Sequence, residues 1–491
     1  MIKNLFSERS LNSISAIFWG LVLFTLPITS FRHYPAIFGN SLRQPLAFIP
    51  LGFFFIAIIF SIWRRKKVEL PPQTTQLVLF LIAVAIATII GILYSPTIVR
   101  NTQYLSRGIR AWVSFGIGLG FFVAAIFAAR SELGLKKMLN WLYAGFILSF
   151  IWGIVQLLAY NTSFVGLPFV NSIRELYTFP AVIYNRIYGF AFEPSWFADQ
   201  ITILYLPWLL ASVLTGYKLG FNKWITWLFI LGSGILLIFS FSRHGILGAV
   251  VATPIVVLVT GRKQVKIAWN WFWDAVKSKK GNLKSWLLRF AVVALILIIF
   301  VGSAYFLNRS DYFSTLWQVS LDEGLVQYVI KNNAGPRLAY LDAGLGIFDR
   351  YPITGVGLGG AGLYMFEEFP DWSLSGLPEM DRFLSPDSNL IPNIKNLYVR
   401  LLAETGLGGF WFYIAFYFSI LASIWKLIRS KLVFPRFVGT AGLFIWITIA
   451  MRNFTQDSLT FPVMWVSLGL VVGFAHRYNS GLLDLEGESF E

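Results

Sequence analysis

Four short segments of the chain carry charged and polar residues whose types and spacing suit chemistry. The first, residues 185–198, places Arg186 and Glu193 ahead of a long apolar stretch, with Pro194 at the start of the expected helix. A guanidinium offers a fork of donors that fits phosphate oxygens, and a carboxylate can accept the proton of a hydroxyl group. We therefore predict catalytic roles for Arg186 and Glu193. The competing interpretation is an ion pair between them that only closes the loop.

The second segment is a short turn, residues 241–245, which contains Arg243 and His244. An Arg–His pair at a turn is commonly a solvated corner of a protein. Here the flanking stretches are apolar enough to lie in a membrane, where an ionised side chain costs about 2.5–3.5 kcal/mol. Charged residues kept in such places are usually functional, so we predict that Arg243 and His244 bind substrate.

The third segment begins at Pro336 and Arg337, which open a stretch with apolar residues at helical spacing as far as Phe348. We predict a catalytic role for Arg337 and a substrate contact for Tyr340. The following glycine-rich run, residues 355–360, satisfies the pattern G-x-G-x-x-G. No βαβ unit surrounds it, so we exclude a dinucleotide site. The glycines instead favour tight turns or close approach of the backbone to a partner.

The fourth segment, residues 393–409, leads into another apolar stretch. Lys395, Val399 and Leu402 are spaced by four and three residues, which predicts that they share one face of a helix. We predict catalytic roles for Lys395 and Glu404 and a substrate contact for Asn396. For Glu404 the alternative is a structural carboxylate at the start of the membrane span.

The elements that must position these segments are apolar stretches, which dominate the chain. Of its 491 residues, 56% are hydrophobic and 13% are charged, whereas soluble domains carry roughly 25% charged residues. A spanning helix needs about 20 mostly apolar residues. We therefore predict an all-α polytopic membrane protein whose first span is not cleaved as a signal peptide. About twelve transmembrane helices are expected, near residues 13–29, 46–63, 75–94, 111–128, 138–160, 197–216, 224–240, 245–260, 290–307, 406–425, 438–455 and 458–476.

The basic residues give the chain a net charge of +16, and their distribution predicts its orientation. Lys is concentrated in the segments assigned to the cytoplasm, including Lys3 and the basic run at 64–67, as the positive-inside rule expects. The outer segments hold fourteen Arg and only two Lys, Lys331 and Lys395. Because Arg binds phosphate bidentately, we predict a phosphate or diphosphate ligand on the outer face, and no nucleic acid. Interfacial snorkelling is the alternative for any single Arg.

We divide the chain into nine transmembrane helices at 1–307, a large and partly helical outer loop at 308–405, and three final helices with a cytoplasmic tail at 406–491. Loops as long as the second region are commonly functional. On the cytoplasmic side, residues 262–289 mix Lys with Trp and predict an amphipathic segment on anionic lipid. With no Cys and three His, disulfides and thiolate sites are excluded and a metal centre is not expected.

The four segments, in this order, resemble those of the bacterial O-antigen ligase and polymerase superfamily, over most of the chain. The first segment is most similar to members that polymerise polysaccharide repeat units, and the last to the family pattern H-N-x-x-L-x-x-x-x-E-x-G. The residues that carry the resemblance are Arg186, Gly189, Glu193, Pro194, Arg243, Arg337, Asn396, Glu404 and Gly406. Lys395 stands where the family has His, the proposed base of the ligases. A protonated Lys accepts no proton unless its pKa is lowered, which weakens the ligase assignment.

The resemblance implies a GT-C-like, metal-independent and cofactor-free glycosyltransferase of the bacterial inner membrane, with its active site facing the periplasm. Its donor and acceptor would be undecaprenyl-diphosphate-linked glycans, and a chain-length regulator would be a further partner besides the membrane lipids. Arg186, Arg243 and Arg337 would stabilise the departing diphosphate, with Lys395 as a point charge. Direct displacement predicts inversion, with Glu193 as the first candidate for the base.

Other functions remain as alternatives. Within the family, the finished glycan could pass to lipid A-core or to a protein instead of to another repeat unit. From another class, twelve spans allow a secondary transporter for an anionic solute, although the halves of the chain share no repeated motif and the charges cluster at helix ends. A scaffold in an envelope-assembly complex is the third alternative.

Overall fold

The structure, a computed structural model, is built almost entirely of helices. It describes residues 8–34, 44–64, 69–129, 131–162, 164–179, 185–277, 283–309, 313–315, 324–332, 334–374 and 376–483. Lys3 and residues 65–67 of the inner basic set lie outside these ranges. The helices are α1 Glu8–Thr25, α2 Phe48–Arg64, α3 Gln73–Tyr94, α4 Tyr104–Ala128, α5 Glu132–Asn161, α6 Leu167–Tyr177, α7 Pro194–Asp199, α8 Leu206–Thr215, α9 Lys223–Phe239, α10 Arg243–Thr260, α11 Arg262–Lys277, α12 Leu283–Asn308, α13 Leu325–Lys331, α14 Gly335–Arg350, α15 Ala361–Glu368, α16 Pro378–Leu384, α17 Leu397–Ile428, α18 Val433–Asn453 and α19 Pro462–Asn479.

Each apolar stretch singled out in the sequence coincides with a helix, which confirms the all-α polytopic class. Among the described residues, seven helices are long and apolar enough to cross a membrane, and four shorter apolar helices accompany them. The number twelve stays a prediction. The one described pair of strands, Ile98–Val99 with Thr102–Gln103, forms a small hairpin before α4.

Burial separates central helices from peripheral ones. The span Pro194–Thr215 is 89% buried over its most apolar window and α18 is 72% buried, compared with 33% for α3. Central helices are apolar on all sides because neighbouring helices surround them. Peripheral helices turn large apolar side chains outward, such as Ile89 and Leu93 of α3. A wide apolar surface of this kind indicates contact with lipid.

The central span is not a regular α-helix. Between α7 and α8, residues Gln200–Tyr205 are wound as a π-helix, a form that occurs mostly as short insertions and often at functional sites. All six side chains of this segment are buried. Asp199, the last residue of α7, is therefore held at the junction between two helical windings.

Residues 324–396 form a helical unit, here called the loop domain, that covers one end of the bundle. It has its own core, which includes Tyr340, Ile347 and Met365. The helix α14 confirms the helical spacing that begins at Pro336. We use "loop-domain side" for the bundle end that this domain covers.

The glycine-rich run at 355–360 joins the loop domain to the bundle through its backbone. Val356 N–H donates to the Ala403 carbonyl at 2.9 Å, and Gly357 N–H donates to the Glu404 carbonyl at 2.8 Å. Gly357 has a φ of +82°, and a Cβ there would overlap the Tyr104 hydroxyl. The glycines therefore serve close backbone approach, as their pattern predicts.

Two further helices, α11 and α12, have largely exposed side chains. The helix α11 carries Trp269, which is exposed, on the same face as Trp273. Its Lys and Arg residues together with these rings fit the expectation of an amphipathic surface segment. Near its C-terminus, the helix α12 packs Phe306 against Phe239 and Phe241, beside the turn that carries Arg243.

Candidate functional site

Arg186 joins the first segment to the second. Its Nε donates to the Ser240 carbonyl at 3.0 Å and its Nη2 to the Phe241 carbonyl at 3.2 Å. These carbonyls lie just after α9, where a cation is favoured by the helix dipole and by the unsatisfied oxygens of the last turn. Arg186 therefore shapes the turn that presents Arg243 and His244.

Glu193 lies at the start of the central span with its side chain exposed. It occupies the residue before Pro194, the first residue of α7, as the sequence predicts. Its Oε2 accepts a hydrogen bond from the Ser195 hydroxyl at 3.1 Å. The loop before it is fixed by Gln156, whose Oε1 accepts from the backbone N–H groups of Tyr188 and Gly189, both at 3.0 Å. The carboxylate thus projects from a rigid loop on the loop-domain side.

Arg243 opens α10 and links the turn to the loop domain. Its Nη1 donates to the Asn332 carbonyl at 3.0 Å. The guanidinium also lies 5.9 Å from the centre of the Phe313 ring. Arg243 is half-buried at the point where the bundle, residues 313–315 and the loop domain meet.

His244 belongs to a buried charged network that the sequence analysis missed. Its Nε2 lies 3.1 Å from Oδ1 of Asp199, and Oδ2 of the same carboxylate accepts from Nε of Arg452 at 2.9 Å. Because a carboxylate only accepts hydrogen bonds, His244 donates from Nε2, and its Nδ1 faces the Ser242 hydroxyl at 3.3 Å. Asp199 and Arg452 are 1% and 2% exposed. Their positions inside apolar helices were the signal that could have identified them.

The turn after α18 accepts hydrogen bonds from residues of the third and fourth segments. Arg337, which is exposed, donates from Nη1 to the Thr455 carbonyl at 3.0 Å. Asn396 donates from Nδ2 to the neighbouring Phe454 carbonyl at 3.2 Å. The same turn follows directly on Arg452, so it connects the loop domain to the buried network. Nothing in the sequence pattern singled out residues 454–460.

The start of α17 differs from the expectation for Lys395. Asn396 caps the helix, since its Oδ1 accepts from the Val399 N–H at 3.1 Å, and the helix begins at Leu397. Lys395 therefore precedes the helix with a φ of +60°. The prediction that Lys395 and Val399 share a helical face is wrong, because the cap ends the helical backbone between them. Lys395 is half-buried next to the cap.

Glu404 is buried and paired. Its Oε2 accepts from Nε of Arg400 at 3.0 Å, one helical turn earlier, and it is 3% exposed. Arg400 also donates from Nη1 to the Asp457 carbonyl at 2.7 Å. The glycine-rich run passes over the Glu404 backbone, and Gly406 kinks α17 with a φ of +61°. This carboxylate is therefore part of the join between α17, the loop domain and the turn after α18.

Tyr340 lies apart from the other site residues, inside the loop domain. Its side chain is 1% exposed and packs against Phe369 at a tilt and edge-on against Phe383. The hydroxyl donates to Oε1 of Glu379 at 2.9 Å. Burial, together with the Glu379 carboxylate, raises the pKa of Tyr340 well above its usual range, so the phenol stays neutral.

The Arg residues of the segments predicted to be outer divide into two groups: those whose guanidinium is used to hold backbone carbonyls together, and those that are exposed and keep donors toward solvent. Several hold backbone carbonyls together: Arg174 donates to the Phe192 carbonyl, Arg107 to those of Gly359 and Pro392, and Arg100 to those of Phe383 and Leu384. A planar fork can bind more than one carbonyl, which Lys cannot do in the same geometry. The excess of Arg over Lys therefore has a structural cause in addition to any anionic ligand. Arg337 belongs to the second group, since it is exposed and keeps donors toward solvent.

Together these contacts bring segments far apart in the sequence to one end of the bundle. Arg186 binds the turn of the second segment, Arg243 binds the loop domain, and Arg337 and Asn396 bind adjacent carbonyls of one turn. Exposed Glu193 lies on the same side. The arrangement can bind an anion with fixed guanidinium groups and can accept a proton from a hydroxyl group.

Comparison with known families agrees with this geometry. Residues 227–414 match a family model described as O-antigen ligase. The matched range contains the second, third and fourth segments and the loop domain, whereas the first segment, with Arg186 and Glu193, precedes it. No curated protein matches the chain significantly. The matched domain supports the resemblance to the O-antigen ligase and polymerase superfamily, whose members are glycosyltransferase-like enzymes.

Proposed function

We propose that the protein polymerises polysaccharide repeat units carried on undecaprenyl diphosphate, at the periplasmic face of the bacterial inner membrane. The observation that supports this most is the set of hydrogen bonds that hold Arg186, Arg243, Arg337 and Asn396 on the loop-domain side. Fixed cationic donors on one side of the bundle suit a reaction in which a diphosphate leaves with growing negative charge. The donor is a lipid-linked glycan, and the acceptor is a sugar hydroxyl of a second one.

Arg337 is the strongest candidate to bind the leaving diphosphate. It is exposed, and its single hydrogen bond to a described residue uses Nη1, so Nε and Nη2 are available to phosphate oxygens. The hydrogen bond to the Thr455 carbonyl orients the guanidinium plane before substrate arrives. Lys395, half-buried at the start of α17, adds a positive charge near the same turn.

Glu193 suits the base better than Glu404 does. Glu193 is exposed and accepts one hydrogen bond, from Ser195, whereas Glu404 is buried in an ion pair with Arg400. In the proposed step, Glu193 takes the proton of the acceptor hydroxyl as its oxygen bonds to the anomeric carbon. The bond from that carbon to the diphosphate oxygen breaks at the same time, and its electron pair leaves with the diphosphate. Attack from the opposite face inverts the anomeric centre.

Substitution of Arg337 and Glu193 tests these roles. In purified protein supplied with a lipid-linked repeat unit, Arg337→Gln and Glu193→Gln are expected to lower kcat by about 10²–10³-fold, the range found when one preorganised donor is removed. The matched controls are Arg382→Gln and Glu175→Gln, which alter exposed residues of the same types elsewhere on the outer segments. Wild-type turnover in both site variants would contradict the assignment.

The alternative within the family is a ligase that passes the glycan to lipid A-core or to a protein. The matched family is described as O-antigen ligase, and the match is compatible with both functions. Lys395 at the position of the family's His weighs against the ligase, because Lys at that place is a poor proton acceptor when protonated. The two functions differ in whether a second type of acceptor is needed.

A further inference from the structure

A second cationic site lies beside the one already described, in an open cleft between α4, α17 and the end of the loop domain. The cleft has a volume of about 520 Å³. Its wall includes the guanidinium groups of Arg107, Arg110 and Arg400 and the side-chain amides of Asn101, Asn389 and Asn393. None of the first site's residues, Arg186, Arg243 or Arg337, lines this cleft.

The charged residues that line the cleft are all positive. Three Arg side chains line it, and none of its lining residues is Asp or Glu. Arg400 is neutralised from behind by two buried carboxylates, Glu404 at 3.0 Å and Asp457 at 4.0 Å. The uncompensated charge of the cleft therefore comes from Arg107 and Arg110. Arg107 and Arg110 lie three residues apart on α4 and hence on the same face, where like charges repel. A bound anion would remove that repulsion.

The two guanidinium groups of α4 differ in how they are held. Arg107 is fixed by its hydrogen bonds to the Gly359 carbonyl at 2.7 Å, to Oδ1 of Asn393 at 2.9 Å and to the Pro392 carbonyl at 3.1 Å. Arg110 is exposed and forms no hydrogen bond or ion pair with a described residue. One group is therefore preorganised, and the other has its whole fork of donors available to a ligand.

The chemistry of the wall points to a phosphate ligand attached to a sugar. Guanidinium forks fit phosphate oxygens, and the surrounding amides and hydroxyls can donate to and accept from sugar hydroxyl groups. The cleft also lies close to the first site along α17. Asn396 at the start of α17 faces the turn of the first site, whereas Arg400, one turn further along, lines the cleft.

We propose that this cleft binds the diphosphate of the second lipid-linked glycan, so that donor and acceptor each have a cationic site. The inference rests on the proposed polymerase function, which requires two diphosphate-linked substrates at once. The first site around Arg337 takes the diphosphate that leaves, and the cleft around Arg110 takes the one that stays attached to the product.

Counting bound ligands tests this proposal without requiring turnover. Purified protein is titrated with undecaprenyl diphosphate and the bound molecules are counted by native mass spectrometry. The wild type is expected to bind two, and Arg110→Gln to bind one, with the second affinity lowered at least about tenfold, as expected for loss of a charge-assisted contact. The matched control Arg382→Gln is expected to bind two.

Further measurements separate the possible outcomes. Competition by inorganic diphosphate distinguishes a site for the lipid-linked group from a site for the free anion, because only the former binds the lipid more tightly. In turnover, Arg110→Gln is expected to raise KM for the repeat unit about tenfold with little change in kcat. A wild type that binds one molecule, or an Arg110 variant that still binds two, would overturn the second site while leaving the polymerase proposal intact.

Discussion

At the scale of single residues, the structure distinguishes charged side chains that are buried in ion pairs from arginines that face solvent. Arg452 and Asp199 are both almost completely buried, and His244 adds a second contact to the same carboxylate. Removing one member of such a pair leaves the other charge buried and uncompensated. Arg337 and Arg110, by contrast, are exposed, so we expect their substitution to have little effect on the fold.

The buried network gives a stability prediction. Asp199→Asn is expected to lower the free energy of unfolding by about 3–5 kcal/mol, because Arg452 loses its counter-charge in the interior. The control is Glu367→Gln, which breaks the exposed pair with Arg350 and is expected to cost about 0–1 kcal/mol. Thermal or denaturant unfolding in detergent measures both. Equal effects from the two substitutions would contradict the account of the network.

Substitutions of Lys395 can separate the effect of its backbone conformation on stability from the effect of its charge on activity. Because its φ is +60°, Lys395→Gly relieves strain and is expected to leave the unfolding temperature unchanged or slightly raised. The same substitution removes the positive charge and is expected to lower kcat about tenfold or more. Lys395→Arg keeps the charge and should retain more activity. If the glycine variant has full activity, the charge of Lys395 plays no part in the reaction.

At the scale of elements, the start and the kink of α17 set the position of the fourth segment. Asn396 caps the helix, and Gly406 bends it where the loop domain contacts it. The length of the apolar stretches identified this span and the others, since a helix that crosses a membrane requires about 20 mostly apolar residues. The sequence pattern did not locate the cap, because Lys395 and Val399 keep helical spacing across a non-helical residue.

The kink at Gly406 gives a second stability prediction. A Cβ at this position would overlap the Ile353 carbonyl, and the backbone is in the left-handed region. Gly406→Ala is expected to destabilise the protein by about 1–3 kcal/mol and to lower turnover, because it displaces the join between α17 and the loop domain. Gly408→Ala is the matched control, since nothing lies within 4 Å of its added Cβ. It is expected to be neutral or to stabilise by up to about 1 kcal/mol. Two variants of equal stability would contradict the described kink.

At the scale of the whole molecule, the site is formed by contacts between residues far apart in the sequence. The apolar pattern and the four segments could be read from the chain, because both are local signals. The turn at residues 454–460 and the pairing of Asp199 with Arg452 could not, because they depend on how α7 and α18 pack. The cleft around Arg110 was missed for the same reason, since its walls come from α4, α17 and the loop domain.

We propose above that the protein joins lipid-linked repeat units to one another. Purified protein can be supplied with a single substrate, an undecaprenyl-diphosphate-linked repeat unit, and the length of the lipid-linked products measured. We expect a ladder of oligomers that increase by one repeat unit and form without any other acceptor. Products that appear only when lipid A-core or a protein acceptor is added, with no ladder from the repeat unit alone, would contradict the proposal.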